Sequence, residues 1–204
     1  LTAIDEIPAL DEGHETVILT PACNTGSNCT PDLTTQQTVT IMDEDLPPNV
    51  TLLVASDTIN EDSATSSSTI VTAQLSAVSG LDVTVTLGKS GTAQNSFDYV
   101  LGVPKLVVPK GSPSASLTLS ALSDTVYEIS ETIVLDVDTV TNGTEAGLPS
   151  GQQRIITITS DDPKPQVTLF VGGFSIDEGG ASNTTTVTAR LDVPSGLMTT
   201  VSLA

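Results

Sequence analysis

Apolar and polar residues alternate along much of this chain, and the alternation has period two. In "IVTAQL" (70–75) Val71, Ala73 and Leu75 fall on one side, Thr72 and Gln74 on the other. Leu81, Val83, Val85 and Leu87 alternate with Asp82, Thr84 and Thr86, and Ala115, Leu117, Leu119 and Ala121 alternate with Ser116, Thr118 and Ser120. Ile133, Leu135 and Val137 alternate with Val134, Asp136 and Asp138. Successive side chains of a strand point to opposite faces, so each segment predicts a strand with one buried face. "VTLLV" (50–54), "KLVV" (105–108) and "RIITIT" (154–159) add three more. Short strands separated by turn residues predict an all-β fold, an antiparallel immunoglobulin-like β-sandwich. The chain has two cysteines and no tryptophan, so the Cys…Trp…Cys core of an antibody domain is missing.

The pattern also repeats over a longer distance. "VTIMDEDLPPNV" (39–50) returns as "ITITSDDPKPQV" (156–167), and "INE" (59–61) as "IDE" (176–178). "VTAQLSAVSGL" (71–81) returns as "VTARLDVPSGL" (187–197), and "HETVIL" (14–19) as "SETIVL" (130–135). All of these offsets are 116 or 117 residues. A fixed period of this kind is the mark of a tandem array. The expected division is the end of one repeat in residues 1–47, a complete repeat in 48–163 and the start of a further repeat in 164–204. The first piece should carry the last two strands of its sandwich, and the third piece about the first three.

Charge narrows the function. Six basic residues stand against 25 acidic ones, a formal net charge of −19. Such a field repels nucleic acid and anionic membranes and attracts cations. No run of about 18 apolar residues occurs, so no membrane insertion is expected in this segment. Cys23 and Cys29 bracket the polar loop "CNTGSNC". Without companion Cys or His they do not make a zinc site. A disulfide formed in an oxidising compartment is the expectation, two ordinary thiols the alternative.

At this point a resemblance emerges. "INED", "GTAQNSFDY", "VPKG", "LSDTVYEISET" and "ITITSDD", in that order and spacing, resemble the Calx-β motif. That family includes regulatory domains of sodium–calcium exchangers and long arrays in surface proteins. The resemblance covers the central repeat and both flanking pieces. It implies a seven-stranded sandwich that often binds Ca²⁺ in loops at one end.

Calcium also has a physical case of its own. The ion takes roughly six to eight hard oxygen ligands, usually carboxylates converging from loops. In a sandwich, the 123–131 turn, the exit of the last strand at Asp161 and Asp162, and Glu61 in a break of the first strand can meet at one end. Crowded carboxylates repel, and a divalent ion removes that cost. The resemblance assigns the ligands Glu61, Asp124, Glu128, Glu131, Asp161 and Asp162. It also exposes departures: Ser90, Ser123 and Ser160 stand where the fullest pattern has acids, so one or two ions are expected and not four. Asp98 is expected to cap its own loop, and Tyr99 and Tyr127 to be core or corner aromatics. In the first piece Glu12, Glu15, Asp43, Glu44 and Asp45 keep the acidic pattern, and Glu178 does so in the third.

Catalysis finds little support. A carboxylate pair can act on a sugar, but aromatic platforms are lacking and the single histidine, His14, has no Ser or Cys arranged beside it. No Gly-rich phosphate loop opens a helix. The chain is read as not an enzyme. The expected function is a calcium-binding structural repeat of an extracellular or cell-surface adhesin or stalk, stiffened by Ca²⁺ at repeat junctions. The partners are neighbouring repeats of the same or another copy, with a homo-polymer possible. The alternatives are a self-associating subunit of an extracellular fibre or sheet, joined through its incomplete terminal repeats, and a calcium-sensing regulatory module of a transporter.

Overall fold

The structure is a computed structural model and describes residues 1–4, 10–62, 67–147, 151–181 and 183–203. Its strands are β1 (Glu15–Leu19), β2 (Gln37–Ile41), β3 (Asn49–Val54), β4 (Thr58–Asn60), β5 (Ser68–Leu75), β6 (Val83–Gly91) and β7 (Tyr99–Leu101). There follow β8 (Lys105–Val108), β9 (Ser114–Ala121), β10 (Glu131–Thr141), β11 (Thr144–Glu145), β12 (Gln153–Thr159), β13 (Val167–Val171) and β14 (Val187–Leu191). Two five-stranded sheets, ordered β4-β12-β10-β6-β8 and β11-β3-β5-β9-β7, form the sandwich. β1 pairs with β2 and β13 with β14, each as a separate antiparallel hairpin.

The period-two segments supply the core. Val71 and Ala73 of β5, Val83 and Val85 of β6, Leu119 of β9, Leu135 of β10 and Ile156 of β12 are fully buried between the sheets. Their alternating neighbours, such as Thr72, Thr84 and Ser120, are only partly buried. The fold is therefore an all-β, predominantly antiparallel sandwich.

Five details depart from the sequence reading. Leu81 lies before β6, not in it. In β10 a register shift between Val137 and Thr139 changes the phase, so that Val140 also packs against the core. The interrupted first strand becomes two strands in different sheets, β3 in one and β4 in the other. These halves make the parallel strand pairings described, β4 with β12 and β3 with β11, in sheets whose other described strand pairings are antiparallel. Among the described residues, strands of two or three residues (β4, β7, β11) bring the sandwich to ten instead of seven. The described part of the third piece carries two strands, not three.

β11 covers only the start of β3, at Asn49 and Val50. Beyond it, side chains satisfy the strand edge. The Gln152 amide accepts from Leu52 N at 3.0 Å and donates to the Val50 carbonyl at 2.8 Å, and Arg154 Nε donates to the Leu52 carbonyl at 2.8 Å. Pairing an edge this way denies it to another chain.

Candidate metal centre

Three short segments bring carboxylates to one end of the sandwich. β4 ends at Asn60 and the chain bends at Glu61, whose N–H still bonds to the Thr159 carbonyl at 3.1 Å. β12 ends at that same Thr159, which places Asp161 and Asp162 beside Glu61. One carboxylate oxygen from each of Glu61, Asp161 and Asp162 lies within 4.8 Å of the others. The 123–130 turn then leads into β10, which begins at Glu131.

A second trio adjoins the first. Asp98, Glu128 and Glu131 also bring one oxygen each within 4.8 Å of the others. Asp98 arrives through the end of β6. Gly91 has φ of +117°, and a Cβ there would meet the Thr132 carbonyl oxygen at 2.1 Å. Only glycine fits this approach. The next two N–H groups, Thr92 and Ala93, both bond to that carbonyl at 2.9 and 3.0 Å, folding residues 92–98 back against the start of β10. Asp98 does cap its loop, accepting from Gln94 N at 2.6 Å, and it stands in the trio as well. Among the described residues no further group of three acids, His or Cys meets this condition.

Five of the six acids singled out in the sequence thus fall in the two trios. Asp124 lies outside both. Its Oδ1 accepts from Val126 N at 2.7 Å, fixing the turn, and its charge still raises the carboxyls of Glu61, Glu128 and Asp162. Tyr99 is buried in the core, whereas Tyr127 is half-buried on the turn.

The electrostatics of the site are those of negative charge held without compensation. Glu61 is 4% exposed, and desolvation pushes its carboxyl upward against a lowering hydrogen bond from Ser160. Glu131 is raised to about 7, first by desolvation, then by a side-chain hydrogen bond with Asp98 and the charges of Asp98, Glu128 and Glu61. Desolvation and neighbouring carboxylates also raise Glu128 and Asp162. Buried oxygens without any hydrogen-bond partner remain on Glu61 (Oε2), Glu131 (Oε2) and Asp162 (Oδ2). Buried polar atoms are nearly always satisfied, so three unpartnered carboxylate oxygens gathered in one place suit a bound cation or protons. An all-oxygen donor set with no His or Cys suits Ca²⁺ and not zinc or copper. The residues present fit the ion.

The acids of the first piece are organised differently. Asp43 Oδ2 accepts from Glu12 N and Gly13 N at 3.1 and 3.0 Å, and these N–H groups hold its carboxyl low. Asp45 Oδ2 accepts from Leu10 N at 2.8 Å. Asp11, which the sequence reading passed over, is raised by desolvation and by Asp43 and Asp45, and its Oδ2 has no partner. His14 is exposed and accepts from Asp43 N at 3.0 Å through Nδ1. Glu178 is exposed and belongs to neither trio. Cys23 and Cys29 form a disulfide across their loop.

No family model and no curated protein matches the chain. Solved structures similar to it include the crystal structure of CBD12 from CALX1.2, at 18% identity and TM-score 0.43, covering 52% of this chain and 42% of that one. The crystal structure of calcium binding domain CBD12 of CALX1.1 gives 20% identity and TM-score 0.43, covering 52% of this chain and 41% of that one. The crystal structure of the apo-form Calx CBD1 domain gives 20% identity and TM-score 0.43, covering 52% of this chain and 89% of that one.

Proposed function

We propose that the central sandwich binds Ca²⁺ between Glu61, Asp161 and Asp162 and between Asp98, Glu128 and Glu131, as a structural repeat of an extracellular or cell-surface stalk. The observation that carries this reading is Glu61. A carboxylate 4% exposed, with one oxygen lacking a partner and two further acids against it, is unfavourable unless neutralised. The Calx-β phrases in the sequence point the same way, and the Cys23–Cys29 disulfide suits an oxidising compartment. The short "DEDLPP" and "DDPKP" connections suit a stalk, because proline stiffens a linker.

The test is calorimetric titration of the chain with Ca²⁺. We expect binding in the range of about 10⁻⁴–10⁻³ M known for extracellular modules, or tighter. Melting should shift upward, and Glu61→Gln should abolish the first site while Asp138→Asn, on the exposed run of β10, leaves both intact. Absence of heat and of any melting shift at millimolar Ca²⁺ would overturn the reading.

A second reading is favoured by the two hairpins. Ile18 of β1 is 60% exposed and Phe170 of β13 is 52% exposed, apolar surface that a self-associating subunit of a fibre or sheet would cover. Light scattering on the purified chain separates the readings, since a monomer across the micromolar range excludes self-association.

A further inference from the structure

The acidic turn of one unit meets the same loop of the next unit at two places in the chain. Gly80 N donates to the Asp11 carbonyl at 2.8 Å, and Gly196 N donates to the Tyr127 carbonyl at 3.0 Å. The spacing from Gly80 to Gly196 equals that from Asp11 to Tyr127, 116 residues, the repeat offset itself. Each glycine is the centre of a Ser-Gly-Leu triplet, Ser79–Leu81 and Ser195–Leu197. Both triplets hold the same internal shape, for Leu81 N donates to Ser79 Oγ at 3.0 Å and Leu197 N to Ser195 Oγ at 3.1 Å.

Each joint has reinforcement of its own. At the first, Ser79 is 1% exposed and its Oγ also lies 3.1 Å from the Asp11 carbonyl, so one acceptor receives two donors. At the second, Tyr127 N returns a bond to the Pro194 carbonyl at 3.2 Å, and Tyr127 bridges Ser195 in parallel. The glycine is required by space at both. A Cβ on Gly80 would meet Glu12 Cβ at 2.6 Å and Glu12 Cα at 3.1 Å. A Cβ on Gly196 would meet Glu128 Oε1 at 2.5 Å and its Cγ at 3.0 Å. The acid after the gripped carbonyl, Glu12 or Glu128, therefore packs directly on the glycine.

We infer that the Ser-Gly-Leu loop is the docking element by which each unit grips the backbone of the acidic turn of the unit before it. The partner it fits is that turn in another copy of the same repeat, recognised by a carbonyl flanked by a carboxylate whose stem covers the glycine. This inference rests on the tandem-repeat part of the proposed function and not on the cation. The hydrogen bonds named above come from backbone groups and a serine hydroxyl, so they form without metal.

The experiment is done on the full chain in chelator. Amide hydrogen exchange should find Gly80 and Gly196 protected at least about tenfold, as expected for amides closed by a stable contact. Gly80→Ala should expand the particle in small-angle scattering, because its Cβ strikes backbone and stem atoms. Gly196→Ala should do so less, since it strikes the movable end of Glu128. Gly102→Ala, with nothing within 4 Å of its added carbon, should leave the curve unchanged. Unprotected Gly80 and Gly196 amides in the unaltered chain would overturn the inference, whether or not the variants fold. A scattering curve unaltered by Gly80→Ala in a folded protein would do the same. Calorimetric Ca²⁺ binding by Gly80→Ala reports separately, because the added carbon meets Glu12 and Asp11, outside both acidic trios: loss of the metal reading leaves the joint standing, and loss of the joint at Gly80 leaves the binding heat.

Discussion

Glu131 is the residue on which pH acts most directly. Its folded carboxyl is raised from 4.5 to about 7, so without metal the folded state binds a proton that the unfolded chain has already released. Between about pH 4.5 and 7 the native state carries more protons, and stability then falls as pH rises. The melting temperature in chelator should therefore climb when pH is lowered from 7.5 to 5.5. With millimolar Ca²⁺ the slope should reverse, because protons compete with the ion for the same oxygens. Glu131→Gln should flatten the chelator profile, and an unchanged profile would mean that Glu131 is not the titrating group. Most acids of the two trios that form the candidate site were legible in the sequence, being crowded into turns. Asp98 was read there as a loop cap only. Its approach to Glu128 and Glu131 depends on Gly91 and the doubly bonded Thr132 carbonyl, a fold-back that no linear spacing announces.

At the scale of the element, the long strands were legible and the short ones were not. β5, β6, β9 and β10 each run for at least eight residues, long enough for alternation to show. β4 and β7 have three residues and β11 has two, which is too few to display a period. These short strands exist because tertiary neighbours supply their partners. Burial on the long strands sets the stability of the sandwich. Leu135→Ala, at a fully buried site on the central strand β10, should cost about 2–5 kcal/mol in urea unfolding. Leu53→Ala, on a side chain 42% exposed, should stay within about 1 kcal/mol. Gly91→Ala should destabilise by more than about 1 kcal/mol, since the added carbon meets a backbone oxygen at a positive φ. It should also weaken Ca²⁺ binding at the Asp98 trio and spare the Glu61 trio.

For the whole molecule, the repeat was visible as recurring phrases, and the Ser-Gly-Leu triplet lay within one of them. In the sequence it served only to mark register. Its contact with the acidic turn joins groups far apart in the chain, so the structure was needed to pair them. If that contact sets the geometry of the array, a chain with further repeats should keep one inter-unit angle throughout. Scattering on a two-repeat and a three-repeat protein should then give lengths that rise by a constant increment, and a shortfall at three repeats would indicate a flexible joint.

The split first strand has a mechanical meaning. The sandwich is entered at Asn49 and left at Thr159, and β4 runs parallel to β12 with Thr58, Ile59 and Asn60 beside Thr157, Ile158 and Thr159. In a stalk of the kind proposed, tension would pull these neighbours in opposite directions along their length, so all the bonds of the seam would share the load at once. Pulling Val83 away from Val108, which face each other across β6 and β8, would instead open the bonds one after another. Force spectroscopy should find a higher rupture force with handles at Asn49 and Thr159 than with handles at Val83 and Val108. Glu61 and Asp161 stand just past the ends of the loaded seam, so Ca²⁺ held there would rivet it, and chelator should lower the first rupture force while leaving the second unchanged.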